Sequence, residues 1–144
     1  MVEVKFYDQV ADELLKFAVI IAKTENKWVF CKHKERDTYE VPGGHREAGE
    51  DIFETAKREL REETGAIDFF IEPICVYSVK GKTRINENID DETFGMLFVA
   101  NISSFEELHS EIEKILITDK LVDNWTYPFI QPKLLEEAKN RGFI

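Results

Sequence analysis

The sequence predicts an α/β fold, a mixed β-sheet with helices packed on its faces. Three observations carry this. Phe17 to Ala22 (FAVIIA) and Trp28 to Cys31 (WVFC) are continuous apolar runs of the kind that form buried strands. Asp51 to Thr64 is a helical stretch closed by Gly65. Further strand-like runs follow, with a second helix near the end, so strands stand before, between and after two helices.

Taken in order, the two apolar runs flank Thr24, Glu25, Asn26 and Lys27, which predicts a hairpin. The charged patch KHKERD leads into TYEVPGG, a short strand broken by Pro42, Gly43 and Gly44. Those three residues predict a loop with unusual backbone angles or a close approach. On the helix, Phe53, Ala56 and Leu60 share one stripe at about 100° per residue and form the expected core edge. Ile67 to Val79 and Thr93 to Ile102 read as strands joined by the polar loop KGKTRINENIDDE. Ser104 to His109 reads as a short helix, Lys114 to Thr118 as a strand, and Pro132 to Arg141 as a terminal helix ended by Gly142. With no internal repeat or linker in 144 residues, one domain over 1–144 is expected.

Asp+Glu 29 against Lys+Arg 19 leaves a net charge of -10, which argues against a protein that clamps duplex nucleic acid through Lys and Arg on phosphates. An anionic small molecule can still bind if a divalent cation lies between. The opening residues alternate charged and apolar side chains without a signal-peptide run, and no segment has the length to span a bilayer, so the expected location is cytoplasmic, off the membrane. Cys31 and Cys75 sit far apart in strand-like runs and read as buried thiols of a reducing compartment. His33, His45 and His109 are too scattered to suggest a zinc site.

The helix carries a second stripe, Glu59, Glu62 and Glu63, about 100° around from the apolar one. Like charges at i,i+3 and i,i+4 each cost about 0.2–0.5 kcal/mol. A solvated acidic face is one reading of them. The other is a hard divalent cation, Mg²⁺ or Mn²⁺, which takes carboxylate oxygens and leaves positions for water and substrate phosphate.

The surrounding spacing favours the cation. From Gly44 the chain reads Gly, five residues, Glu50, seven residues, Arg58, Glu59, Leu60, one residue, Glu62, Glu63, one residue, Gly65. This resembles, position by position, the signature of the Nudix hydrolases, with Ala66 standing where a larger aliphatic residue is usual. The resemblance is specific over Gly43 to Ala66. YEVPGG before it and SEIEKI and DNWTYPFIQPKLL after it are more loosely similar to bacterial MutT-like members.

The resemblance implies an α/β/α sandwich that hydrolyses a nucleoside diphosphate linked to another group, using divalent metal. Carried onto matching positions, it implies Glu59, Glu62 and Glu63 as catalytic metal ligands, Glu59 also as a base, and the Gly44 carbonyl toward metal. Arg58 belongs to the same catalytic signature and is expected to pair with Glu50, orienting the helix against the loop. His45 stands where relatives carry a lysine beside the phosphates, or is an exposed loop histidine. Glu111 matches a further carboxylate reaching the metal, or is an exposed helix-end glutamate. Asn124 lies near where relatives place an asparagine that reads a purine edge, with Trp125 or Tyr127 stacking on the base or packing as core.

Substrate choice lies outside the signature. The only proline between Gly65 and Pro128 is Pro73, too near for the pattern of ADP-ribose hydrolases, and Tyr77 is too near for that of diadenosine-polyphosphate hydrolases. A small nucleotide is therefore the expected partner, and a MutT-like nucleoside triphosphate pyrophosphohydrolase leads. The alternatives are a catalytically inactive Nudix-fold binding or regulatory module, and a structural metal-binding domain with a closed ligand set.

Overall fold

The computed structural model describes residues 2–108 and 112–144. His109 and Glu111 therefore lie outside the described residues. The chain runs β1 (Glu3–Tyr7), a 3-10 turn at Asp12–Leu14, β2 (Leu15–Thr24), β3 (Lys27–His33), β4 (Gly43–His45), α1 (Ile52–Thr64), β5 (Ala66–Lys80), β6 (Glu92–Phe105), β7 (Ile112–Thr118) and α2 (Gln131–Asn140). The strands form one sheet in the order β1-β5-β6-β2-β3-β7, with β4 added against β2. Only β2 and β6 run parallel among these pairs; the rest are antiparallel.

The central strands are apolar throughout because successive side chains point to opposite faces and both faces are covered. Ile20 and Ala22 on β2 pack with Ile52, Ala56 and Leu60 of α1. Ile21, between them, packs on the other face with Leu134, Leu135 and Ala138 of α2. The result is the expected α/β/α sandwich. No helix among the described residues is long and apolar enough to cross a membrane. Cys31 and Cys75 are both free and buried, as the apolar setting predicts.

The structure departs from the sequence reading at several places. Tyr39 and Glu40, expected in a short strand, form only isolated bridges to Trp125 and Cys31. Gly43–His45, expected as loop, is a strand on β2 with Phe17 opposite His45 and Val19 opposite Gly43. A Cβ at Gly43 would lie 2.6 Å from the Ala18 carbonyl oxygen, so the glycine permits that close pairing. Ser104 and Phe105, expected in a helix, extend β6 against Asp68 and Ala66 of β5. Long-range pairing outweighs local propensity there. The opening EVKFY becomes β1 on the edge of the sheet. Phe53, expected in the core stripe, is 42% exposed and meets Phe98 edge-on at 5.4 Å. The buried i,i+4 row starts one residue earlier, at Ile52, which turns Phe53 to the rim.

The ends of α1 are fixed locally. Asp51 accepts from the Glu54 amide at 2.9 Å while Glu54 accepts from the Asp51 amide, a reciprocal cap. Gly65 ends the helix at φ 77, and a Cβ there would lie 2.4 Å from the Glu106 carbonyl oxygen. Gly65→Ala is therefore expected to cost roughly 2 kcal/mol, combining left-handed strain with displacement of neighbouring backbone. Denaturant unfolding measures it; a loss within a few tenths would show that this contact relaxes freely.

Candidate functional site

Capping sets the position of α1 along its axis, and its apolar face sets its rotation, which together turn Glu59 and Glu63 toward β4. The Gly43 amide donates to Glu63 Oε1 at 2.8 Å. A Cβ on Gly44 would fall 2.4 to 2.6 Å from the three carboxyl atoms of Glu59, so glycine leaves the space which that carboxylate fills. The Glu59 side chain is 12% exposed. Burial, reinforced by the Glu63 charge, pushes its carboxyl up to about 7, against the pull of Arg58.

Arg58 ties the signature residues together. Its Nε donates to Glu50 Oε2 at 2.6 Å and its Nη2 to Glu50 Oε1 at 3.1 Å, a forked pair. Nη1 donates to Glu59 Oε1 at 2.7 Å and reaches Glu62 at 3.3 Å, while Nη2 also donates to the His45 carbonyl at 2.9 Å. Glu50 is held down to about 2, chiefly by Arg58 and also by the Glu47 amide. Glu62 is the outermost of the three glutamates, with a half-exposed side chain.

Beside this network lies a cavity of about 510 Å³, lined among others by Gly43, Gly44, His45, Glu63, Tyr77 and Gln131. His45 is exposed, with its ring 4.5 Å from that of Phe17. Asn124 is absent from the lining: its Nδ2 donates to the Asp37 carbonyl at 3.0 Å and its own carbonyl accepts from Tyr39. Trp125 packs edge-on to Phe30 at 5.4 Å against the α2-side core and is absent from the cavity lining. Tyr127 does line the cavity.

Sequence reasoning missed a second cluster. His33 Nε2 lies 2.6 Å from Glu40 Oε1 and 3.5 Å from Glu63 Oε2, and Arg36 reaches Glu40 at 3.2 Å. His33, Glu40 and Glu63 each offer a ligand atom within 4.8 Å of the others, a spacing that could hold a metal ion. Scattered histidines gave no zinc pattern, and the carboxylates that complete this group come from two other segments. The sequence carries no signal for this cluster: the bridge between Cys31 and Glu40, which folds the charged patch back on β3, forms only in the tertiary structure. The Glu63 and Glu40 carboxylates hold His33 above its ordinary value, while burial raises Glu40.

Comparison with known proteins bears on this arrangement. A Bacillus subtilis (strain 168) protein named "Putative 8-oxo-dGTP diphosphatase YtkD" is 36% identical over 84 residues, 58% of this chain and 52% of the relative. The match thus spans about half the length of that curated relative. Among solved structures, a mutant of the Bacillus subtilis pyrophosphohydrolase BsRppH superposes with a TM-score of 0.78 at 26% identity, covering 99% of this chain and 92% of that one. The NUDIX domain of Shewanella oneidensis NrtR, solved with ADP ribose, shares the fold with a TM-score of 0.62 at 17% identity over 88% and 87% of the two chains. The model of the NUDIX domain family matches residues 14–113, more than half of the chain and the whole of the Gly44-to-Gly65 signature. That match covers the helix bearing Arg58, Glu59 and Glu63 and the Gly43–Gly44 strand it lies against, and the chain belongs to the NUDIX domain family.

Proposed function

We propose that this protein is a divalent-metal-dependent pyrophosphohydrolase of small nucleotides, acting in the MutT-like manner on nucleoside triphosphates. The observation that carries this is the placement of Glu59 and Glu63 against the glycine strand at the edge of a nucleotide-sized cavity. The 8-oxo-dGTP diphosphatase name of the YtkD relative and the pyrophosphohydrolase name of the BsRppH structure support it.

The residues fit Mg²⁺ or Mn²⁺. Their donors are hard oxygens, and the space left by the missing Gly44 side chain holds a carboxylate that is costly to ionise alone. Glu59, Glu62, Glu63 and the Gly44 carbonyl would hold the ion. Bound there, it would neutralise phosphate charge and acidify water, which a polyanionic substrate requires. The chain's own groups position the machinery: Arg58 fixes the Glu59 carboxylate and is itself fixed by Glu50, while the Gly43 amide fixes Glu63. His45, exposed at the cavity, would meet the phosphates.

The test is phosphate and pyrophosphate release across a panel of nucleoside triphosphates with Mg²⁺, with Mn²⁺ and with excess chelator. Turnover of at least one nucleotide is expected with metal and none with chelator. Equal turnover in both conditions would remove the metal, and no turnover of any nucleotide would remove the reaction.

A further inference from the structure

Three side chains from separate segments converge on the cavity wall outside the Arg58 network. His33 closes β3. Glu40 is folded back beside that strand by two backbone bonds with Cys31, at 2.8 and 3.0 Å. Glu63 comes from the last turn of α1, which the Cys31 thiol ties to β3 by donating to the Glu63 carbonyl at 3.4 Å.

Each carboxylate has one oxygen held by a protein donor and the other directed at a common point. Arg36 holds Glu40 Oε2 at 3.2 Å and leaves Oε1, which lies 2.6 Å from His33 Nε2. The Gly43 amide holds Glu63 Oε1 at 2.8 Å and leaves Oε2, which lies 3.5 Å from the same nitrogen. The three ligand atoms fall within 4.8 Å of one another. Metal ligands are oriented in this way: an outer hydrogen bond fixes one atom so that the other aims at the ion. The Glu40 and Glu63 side chains are only 7% and 12% exposed, so a cation at this point offsets the cost of keeping two carboxylates from water. All three residues line the cavity, so a fourth ligand position opens onto it.

The donor set selects the ion. Mg²⁺ takes oxygen ligands in a near-ideal octahedron and keeps several waters. An imidazole nitrogen with two carboxylates and one open position suits Zn²⁺.

We propose that His33, Glu40 and Glu63 form a zinc site, distinct from the magnesium site in its ligands and its ion, and that zinc bound there draws Glu63 away from magnesium and inhibits turnover. Zinc takes the place of the proton between His33 Nε2 and Glu40 Oε1 and releases that proton to solvent. The inhibition rests on the magnesium role proposed for Glu63, whereas the zinc site does not.

The experiment titrates Zn²⁺ into the full chain in excess Mg²⁺, by competition with a chromophoric chelator, beside the visible absorption of the protein loaded with Co²⁺. Wild type is expected to bind one zinc ion per chain and to give the strong d–d absorption of four-coordinate Co²⁺. In His33→Gln the zinc dissociation constant should weaken about a hundredfold and the cobalt band should be lost. Glu40→Gln should behave alike and carries the test if His33→Gln does not fold. Glu62→Gln, which alters the magnesium set alone, should bind zinc as wild type does. No zinc binding by wild type overturns the site, as does wild-type zinc affinity in a folded His33→Gln or loss of zinc in Glu62→Gln. With the best nucleotide, one equivalent of zinc should lower Mg²⁺-supported turnover about tenfold, and His33→Gln should need about a hundredfold more zinc for the same loss. Zinc binding with full turnover upholds the site and defeats the inhibition. If no nucleotide is turned over, the hydrolytic reading and the inhibition fail together, while the zinc titration still decides the site.

Discussion

Glu63→Gln is expected to lower turnover of the best nucleotide by a factor on the order of 10³ while leaving the fold in place. The amide keeps a carbonyl oxygen for the Gly43 amide that now bonds Glu63 Oε1 at 2.8 Å. Removing the charge relieves repulsion from Glu59 at i,i+4, worth about 0.2–0.5 kcal/mol. It also gives up attraction to His33, 3.5 Å away. These two changes oppose each other, so metal-free stability should stay within about 1 kcal/mol of wild type. The functional loss follows because an amide is a far weaker ligand for a hard cation than a carboxylate. Mg²⁺ should therefore raise the melting temperature of the variant less than that of wild type. Near-full turnover in the variant, or a collapse of its metal-free melting temperature, would make Glu63 a structural residue and the acidic stripe a solvated face.

The second large effect is a metal-free stability that falls as pH rises. Glu59 titrates at about 7 in the folded protein against an ordinary 4.5, so between those values the folded state binds more protons than the unfolded one. Stability from this group is fully present below pH 4.5 and is lost as pH rises through 7. The shift corresponds to roughly 3 kcal/mol at most. Glu40 and His33, also raised, act in the same direction, while Glu50, held down to about 2, stays ionised across the window. Melting curves from pH 5 to 8 in chelator should show the decline, and Glu59→Gln should flatten much of it. Mg²⁺ favours the ionised carboxylate and should stabilise more at pH 8 than at pH 5. A flat wild-type profile in chelator would mean that Glu59 is ionised at ordinary cost.

Much of α1 was legible because its determinants are local. The Asp51 cap, the Gly65 stop and the i,i+3 and i,i+4 spacing of Glu59, Glu62 and Glu63 are all decided within one stretch of chain. The Arg58–Glu50 pair spans only eight residues. Phe53 was misplaced because two adjacent apolar residues, Phe53 and Ile52, compete for one stripe, and only contact with the sheet chooses between them.

By itself, then, the sequence determined which segments are strands and helices over most of the chain, and which side chains make the acidic edge. Periodicity states that a face is buried; it does not state against what. Tertiary structure decided that β4 adds to β2 and that Ser104 and Phe105 extend β6. It also decided that His33 meets Glu40 and Glu63, and that the Gln131 side chain accepts from the Val41 amide across ninety residues of sequence. Those neighbours come from segments whose own patterns are silent about one another, and only the closing of the sheet, which fixes each strand's partner, brings them together.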